Sequence, residues 1–103
     1  MTDPLDRLIA EAARTIEAET GSATACTLHR DGRVTGGLKY AEGRLVALRE
    51  IQRALAAGDP VEPIRSRWQD EHDRRRAADL PSPPWVSYAT GGLEAVTEVL
   101  EGS

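Results

Sequence analysis

Phenylalanine and asparagine are absent from this 103-residue chain, cysteine and methionine occur once each, and lysine occurs only at Lys39. The lone Cys26 excludes an intrachain disulfide framework and any multi-cysteine zinc or iron–sulfur centre. No stretch approaches the roughly 18 consecutive apolar residues of a membrane-spanning helix. The opening Met1-Thr2-Asp3-Pro4 has neither the basic nor the apolar part of a secretory leader, so a reducing cytoplasm is the expected location. The missing asparagine and scarce lysine follow the codon usage of a high-GC bacterium or phage.

Large hydrocarbon is also in short supply. Of 41 apolar residues 15 are alanine, and Leu, Ile and Val together number 20. That proportion sits near the border below which chains fail to bury enough to fold. Strong local patterning argues for a folded domain with a thin interior. The length allows one domain, 1–103, with the proline-rich 80–84 as an internal linker. A net charge of -4 excludes general attraction to nucleic acid or anionic membrane.

Helix signals are clear at the start. Asp3 is a good N-cap, Pro4 suits the first helical position, and Gly21 stands where a helix stops. Leu5, Leu8, Ile9, Ala12 and Ile16 share one stripe between them. In 23–34, Arg30-Asp31-Gly32 between short β-prone runs predicts a hairpin. A second helix begins near Thr35 or Leu38 and ends at Gly58, with Leu38, Ala41, Leu45, Leu48 and Leu55 as its core stripe, Ile51 widening it and Gln52 interrupting it. Asp59-Pro60 marks the cap of a third helix running to about Asp79, apolar only at Val61, Ile64 and Trp68. The segment 85–90 reads either as a short third strand or as the start of a helix. After Gly91-Gly92, a short last helix carries Leu93, Val96, Val99 and Leu100. The expected class is therefore mainly α with a small β-hairpin (α+β), about four helices and a possible third strand.

Two self-similarities compete. Thr35-Gly36-Gly37-Leu38 recurs as Thr90-Gly91-Gly92-Leu93, which implies two strand-to-helix units. Tyr40-Ala41-x-Gly43-x-Leu45-x-Ala47 recurs as Tyr88-Ala89-x-Gly91-x-Leu93-x-Ala95, which implies two helices with a common face.

Four candidate sites follow from residue chemistry. Thr35, Gly36, Gly37 and Lys39 at a helix entry could receive an anion, because free amides and a first-turn cation are complementary to one; the alternative is a glycine junction with a solvent-facing lysine. Arg65, Arg67, Arg74, Arg75 and Arg76 could bind nucleic acid, with Trp68 stacking on a base; against this, 59–79 carries more acids than bases and favourable i,i+4 pairs. Cys26, His29 and His72 form no recognisable catalytic or metal-binding set, so neither a catalytic residue nor a metal or cofactor is expected. Finally, Tyr40, Gly43, Ala47, Trp68, Trp85 and Tyr88 could form a partner-binding surface, since aromatics anchor interfaces and small residues admit a second helix. The leading expectation is a non-enzymatic interaction or regulatory protein that works as a homo-oligomer, a dimer, completing its thin interior against another molecule. Nucleic-acid binding through the third helix, and an anion-binding module or enzyme, are the alternatives.

Overall fold

The structure, a computed structural model, describes residues 4–21, 36–78 and 83–101. They form four helices: α1 (Pro4–Gly21), α2 (Gly36–Ala57), α3 (Glu62–Ala77) and α4 (Pro83–Glu101). No strand occurs among the described residues, which corrects the α+β expectation to an all-helical one. The proposed hairpin at 23–34 lies outside the described residues. The possible third strand is overturned directly, because 85–90 lie inside α4.

Packing explains that reversal. Val86, Ser87 and Tyr88 are tolerable in a strand or a helix, but helical spacing puts Ala89, Gly92, Ala95 and Val96 on one buried face. Thr90 and Thr97 donate their hydroxyls to the carbonyls of Val86 and Leu93, at 2.8 and 2.9 Å, an arrangement that accommodates threonine within a helix. Pro83 and Pro84 occupy the first turn of α4, where missing amides cost nothing. The helix thus starts eight residues before Gly91, and Gly91-Gly92 are buried in its middle.

The end of α2 follows expectation. Gly58 adopts φ 76°, and the amides of Gly58 and Asp59 donate to the carbonyls of Leu55 and Ala54 at 3.2 and 2.8 Å. This pair of hydrogen bonds satisfies carbonyls left open at the helix end. The start of α3 is two residues later than Asp59 suggested. Val61 is its N-cap, and its carbonyl accepts from the amides of Ile64 and Arg65. Pro63 explains the shift: it fits only within the first turn, next to Glu62.

The central contact is α2 against α4. Gly43 lies on the backbone carbonyl of Tyr88, and Gly91 lies on the backbone carbonyl of Tyr40. A methyl group at either glycine would overlap that carbonyl oxygen. The contacts are reciprocal and the helices antiparallel, so the second of the two sequence echoes describes faces that meet. The first echo does not hold as a pair of strand-to-helix units, since 90–93 lie mid-helix. Ala41, Ala47, Ala89 and Ala95 are all buried on these faces.

Around this pair, α3 packs on α4 and touches α2 lightly, while α1 packs on α2 and only grazes the others. Gln52 donates to the Asp6 carboxylate at 3.1 Å, which sets the beginning of α1 beside Gln52. Leu5, Ala12, Leu48, Ile51, Ala54, Ile64, Trp68 and Val96 fill the interior. Leu55, expected inside, is 55% exposed. The molecule is flat, 43 × 38 × 20 Å, with a radius of gyration of 14.5 Å against roughly 13 Å for a compact chain of this length. A thin slab is the shape that few bulky side chains can fill.

The glycine contacts make a sharp prediction. Helix propensity alone would favour Gly43→Ala or Gly91→Ala by about 1 kcal/mol. The overlap is with backbone, which cannot rotate aside, so each should instead destabilise by roughly 2 kcal/mol or more in urea unfolding. Gly58→Ala, which meets nothing within 4 Å, should cost only about 1 kcal/mol through its left-handed backbone. A neutral Gly43→Ala would show that the helices are further apart than described.

Candidate functional site

The third glycine of the centre, Gly92, has a different partner. The six-membered ring of Trp68 lies against it, in space a Cβ would fill. This seats Trp68 at 5% exposure, with its Nε1 donating to Glu50 Oε1 at 3.1 Å. The indole thereby ties α3 to α2 and α4 at once. The other carboxylate oxygen of Glu50 pairs with Arg67.

From Trp68 an aromatic row leads outward. Tyr88 lies beside it with ring centroids 5.5 Å apart, and Trp85 meets Tyr88 edge-on at 5.4 Å. Trp85 and Tyr88 are three apart on α4 and so share a side of the helix. Trp85 is 40% exposed, and two cations rest over its ring: Lys39 Nζ at 4.6 Å and the Arg75 guanidinium at 5.2 Å. Both cations are also neutralised, Lys39 by Glu42 at 3.0 Å and Arg75 by Glu71 at 2.7 Å. Beside the row an open groove of about 300 Å³ is lined by Val46, Glu50, Arg67, Trp68, Glu71 and Tyr88. Val46 itself is 40% exposed.

The expected partner-binding residues therefore separate. Trp85 and Tyr88 reach one surface. Gly43, Ala47 and Trp68 are buried within the chain, and the close helix approach that Gly43 and Ala47 implied is made to α4 of the same chain. Tyr40 stands on another side, where its hydroxyl donates to Glu94, Arg44 lies 5.8 Å from its ring, and Arg44 pairs with Glu98 at 2.5 Å.

Of the anion-site candidates, Thr35 lies outside the described residues, and Gly36, Gly37 and Lys39 form the first turn of α2. The charge of Lys39 is answered by Glu42 and Trp85, within the chain itself. The arginines of α3 are distributed in the same way. Arg67 pairs with Glu50, and Arg74 and Arg75 both pair with Glu71; Arg65 is half-buried and Arg76 exposed. The i,i+4 spacing on α3 pointed to Glu71–Arg75 and Asp70–Arg74; the first pair forms, whereas Arg74 also turns to Glu71, and Glu50 is on another helix and had no local signal. Cys26 and His29 lie outside the described residues. His72 is mostly buried, its Nδ1 has no hydrogen-bond partner, and Asp73 lies 3.9 Å away. Among the described residues no group of three or more His, Cys, Asp or Glu side chains could hold a metal ion, and no helix is long and apolar enough to cross a membrane.

Two tyrosines have raised pKa values. Burial and the Glu94 carboxylate hold the Tyr40 phenol in its neutral form. Burial and Glu42 do the same for Tyr88, partly opposed by Arg75. A raised native pKa means the folded state keeps protons that the unfolded state has released, so this stability is present below the ordinary tyrosine pKa and is lost as pH rises through the folded value. Melting temperature should accordingly fall as pH climbs past 10, the unperturbed value, and Tyr40→Phe should make that fall shallower. An unchanged alkaline slope in Tyr40→Phe would remove the Tyr40–Glu94 contact from the account.

No protein-family model matches the chain, and no significant match to it exists among curated proteins or solved structures.

Proposed function

We propose that this chain is a non-catalytic interaction protein that associates with itself, and that its contact face carries Val46, Tyr88 and Trp85. The observation behind the proposal is Trp85, a large indole held at the surface. Its orientation is set by Tyr88 on one edge and by Lys39 and Arg75 over the ring. An aromatic side chain ordered before contact loses little further freedom on binding, which is what makes an effective interface anchor. Exposed Val46 and the aromatic groove beside it extend the apolar area. Arginine and lysine at the rim, each with its acid, supply a polar border of the kind that surrounds such anchors.

The flat shape supports the same reading. Among the described residues Val46, Leu55 and Trp85 are the large hydrophobics left exposed, and a second copy would provide a cover of matching character. Nucleic-acid binding through α3 is less well supported, because Arg67, Arg74 and Arg75 would first have to leave Glu50 and Glu71.

Sedimentation equilibrium at tens of micromolar should give twice the chain mass of 11.2 kDa. Trp85→Ala should weaken the dimer roughly tenfold or more while leaving the monomer folded, since an exposed ring contributes little to the interior. A particle that keeps the mass of one chain as concentration rises to the millimolar range overturns the proposal.

A further inference from the structure

The likeness between α2 and α4 extends beyond Ala47 and Ala95 to Glu50 and Glu98, each ten residues after its tyrosine. Together with the reciprocal contacts at Gly43 and Gly91, this gives the helix pair two corresponding flanks. On one flank Tyr88 of α4 stands with Val46 and Glu50 of α2. On the other, Tyr40 of α2 stands with Glu94 and Glu98 of α4. By the same correspondence Val46 matches Glu94, and Gly92 matches Arg44.

The first flank is covered by a helix of the same chain. There α3 sets Trp68 against Gly92 and gives Glu50 two donors, the Trp68 Nε1 on one carboxylate oxygen and Arg67 on the other. The second flank has no such helix among the described residues. It is an open groove of about 400 Å³ whose lining comes from α2 and α4 alone, with Leu93 and Tyr40 as its apolar part. Glu98 meets one cation, Arg44 against Oε2 at 2.5 Å, yet it stays 52% exposed, and its Oε1 has no partner among the described residues. Glu94 is exposed and accepts only the Tyr40 hydroxyl there.

Charge indicates what the open flank fits. Helix α4 holds three acids, Glu94, Glu98 and Glu101, and no basic residue. Arg44 offsets one of the two carboxylates in the groove, so a net negative charge remains. On the covered flank the corresponding acid, Glu50, is met by an arginine from α3. Where Gly92 leaves room for an indole, the matching position carries the Arg44 side chain, so an occupant of the open flank lies shallower than Trp68 does.

We infer that the groove at Tyr40, Glu94 and Glu98 is a docking site for a basic α-helix of another protein. That helix presents arginine to the two carboxylates and an apolar side chain to Leu93 and Tyr40, a helix-in-groove contact. The site is separate from the Trp85 face and does not depend on self-association. A second copy's α3 is not the occupant, because its Trp68 and Arg67 are already held within its own chain.

The test uses the full chain and a synthetic alanine-based helical peptide of 16 residues, the length of α3, with two arginines one turn apart and leucines beside them on one face. In a nuclear magnetic resonance titration at low salt, the signals of Tyr40, Leu93 and Thr97 should shift with a Kd below about 1 mM, and added salt should weaken the binding. Glu94→Gln combined with Glu98→Gln should weaken it roughly fivefold or more, with melting curves showing that the variant folds. Glu94→Gln alone, which leaves the Arg44–Glu98 pair intact, should weaken it about twofold. No shift at millimolar peptide, equal affinity for the variants, or equal binding of a peptide with glutamine in place of arginine overturns the docking site. Shifts centred on Trp85 and Val46 overturn it as well. The double variant should keep the sedimentation mass of the unsubstituted chain; a lower mass would make a second copy the occupant and overturn the assignment to another protein.

Discussion

Everything in this fold is arranged around the distance between α2 and α4. Two glycines let the backbones touch, each against the carbonyl of a tyrosine on the opposite helix. Alanines at 41, 47, 89 and 95 continue the same narrow seam. A chain with no phenylalanine and many alanines cannot fill a wide gap between helices. It stabilises itself by closing the gap, so that dispersion between backbone and small side chains replaces the bulk of large ones. Leu48, Ile51 and Val96, the largest fully buried side chains, are concentrated beside this seam.

The aromatic face follows from the same approach. With α2 and α4 in contact, Gly92 presents bare backbone, and the indole of Trp68 covers it. Trp68 then carries Tyr88, and Tyr88 carries Trp85, so a single row runs from the interior to solvent. The cations on Trp85 come from two different helices, Lys39 at the start of α2 and Arg75 near the end of α3. Their convergence depends on the central pair placing those helix ends side by side. Charge on this surface is spent internally: Glu42, Glu50 and Glu71 answer Lys39, Arg67, Arg74 and Arg75.

Much of the helix plan was legible because its signals are local. Pro4 and Gly21 bound α1, and Gly58 ends α2 through a left-handed backbone that glycine adopts most readily. The stripe of Leu38, Ala41 and Leu48 is buried as its spacing implied. The misreadings share one cause. Gly91-Gly92 resembled a helix entry, and 85–90 read equally as a strand or as the start of a helix, because local propensity leaves these residues open. Burial against α2 and Trp68 outweighs that propensity. The candidate surface was half legible: the aromatics were recognisable as a group and Trp68 fell on the apolar stripe of its helix with Val61 and Ile64, yet nothing local showed that Tyr40 is elsewhere and Trp85 is at the surface.

By itself the sequence determined where helices α1 and α2 end, that the interior would be thin, and that small residues on α2 would admit another helix closely. These are properties of neighbouring residues, of composition and of periodicity, and they hold whatever the chain packs against. The tertiary structure alone decided that the close-approaching helix is α4 of the same chain, and that Glu50 of α2 holds Arg67 of α3. It also decided which of two tryptophans meets solvent. Those outcomes depend on residues tens of positions apart arriving at the same few ångströms, and no local interaction encodes that arrival.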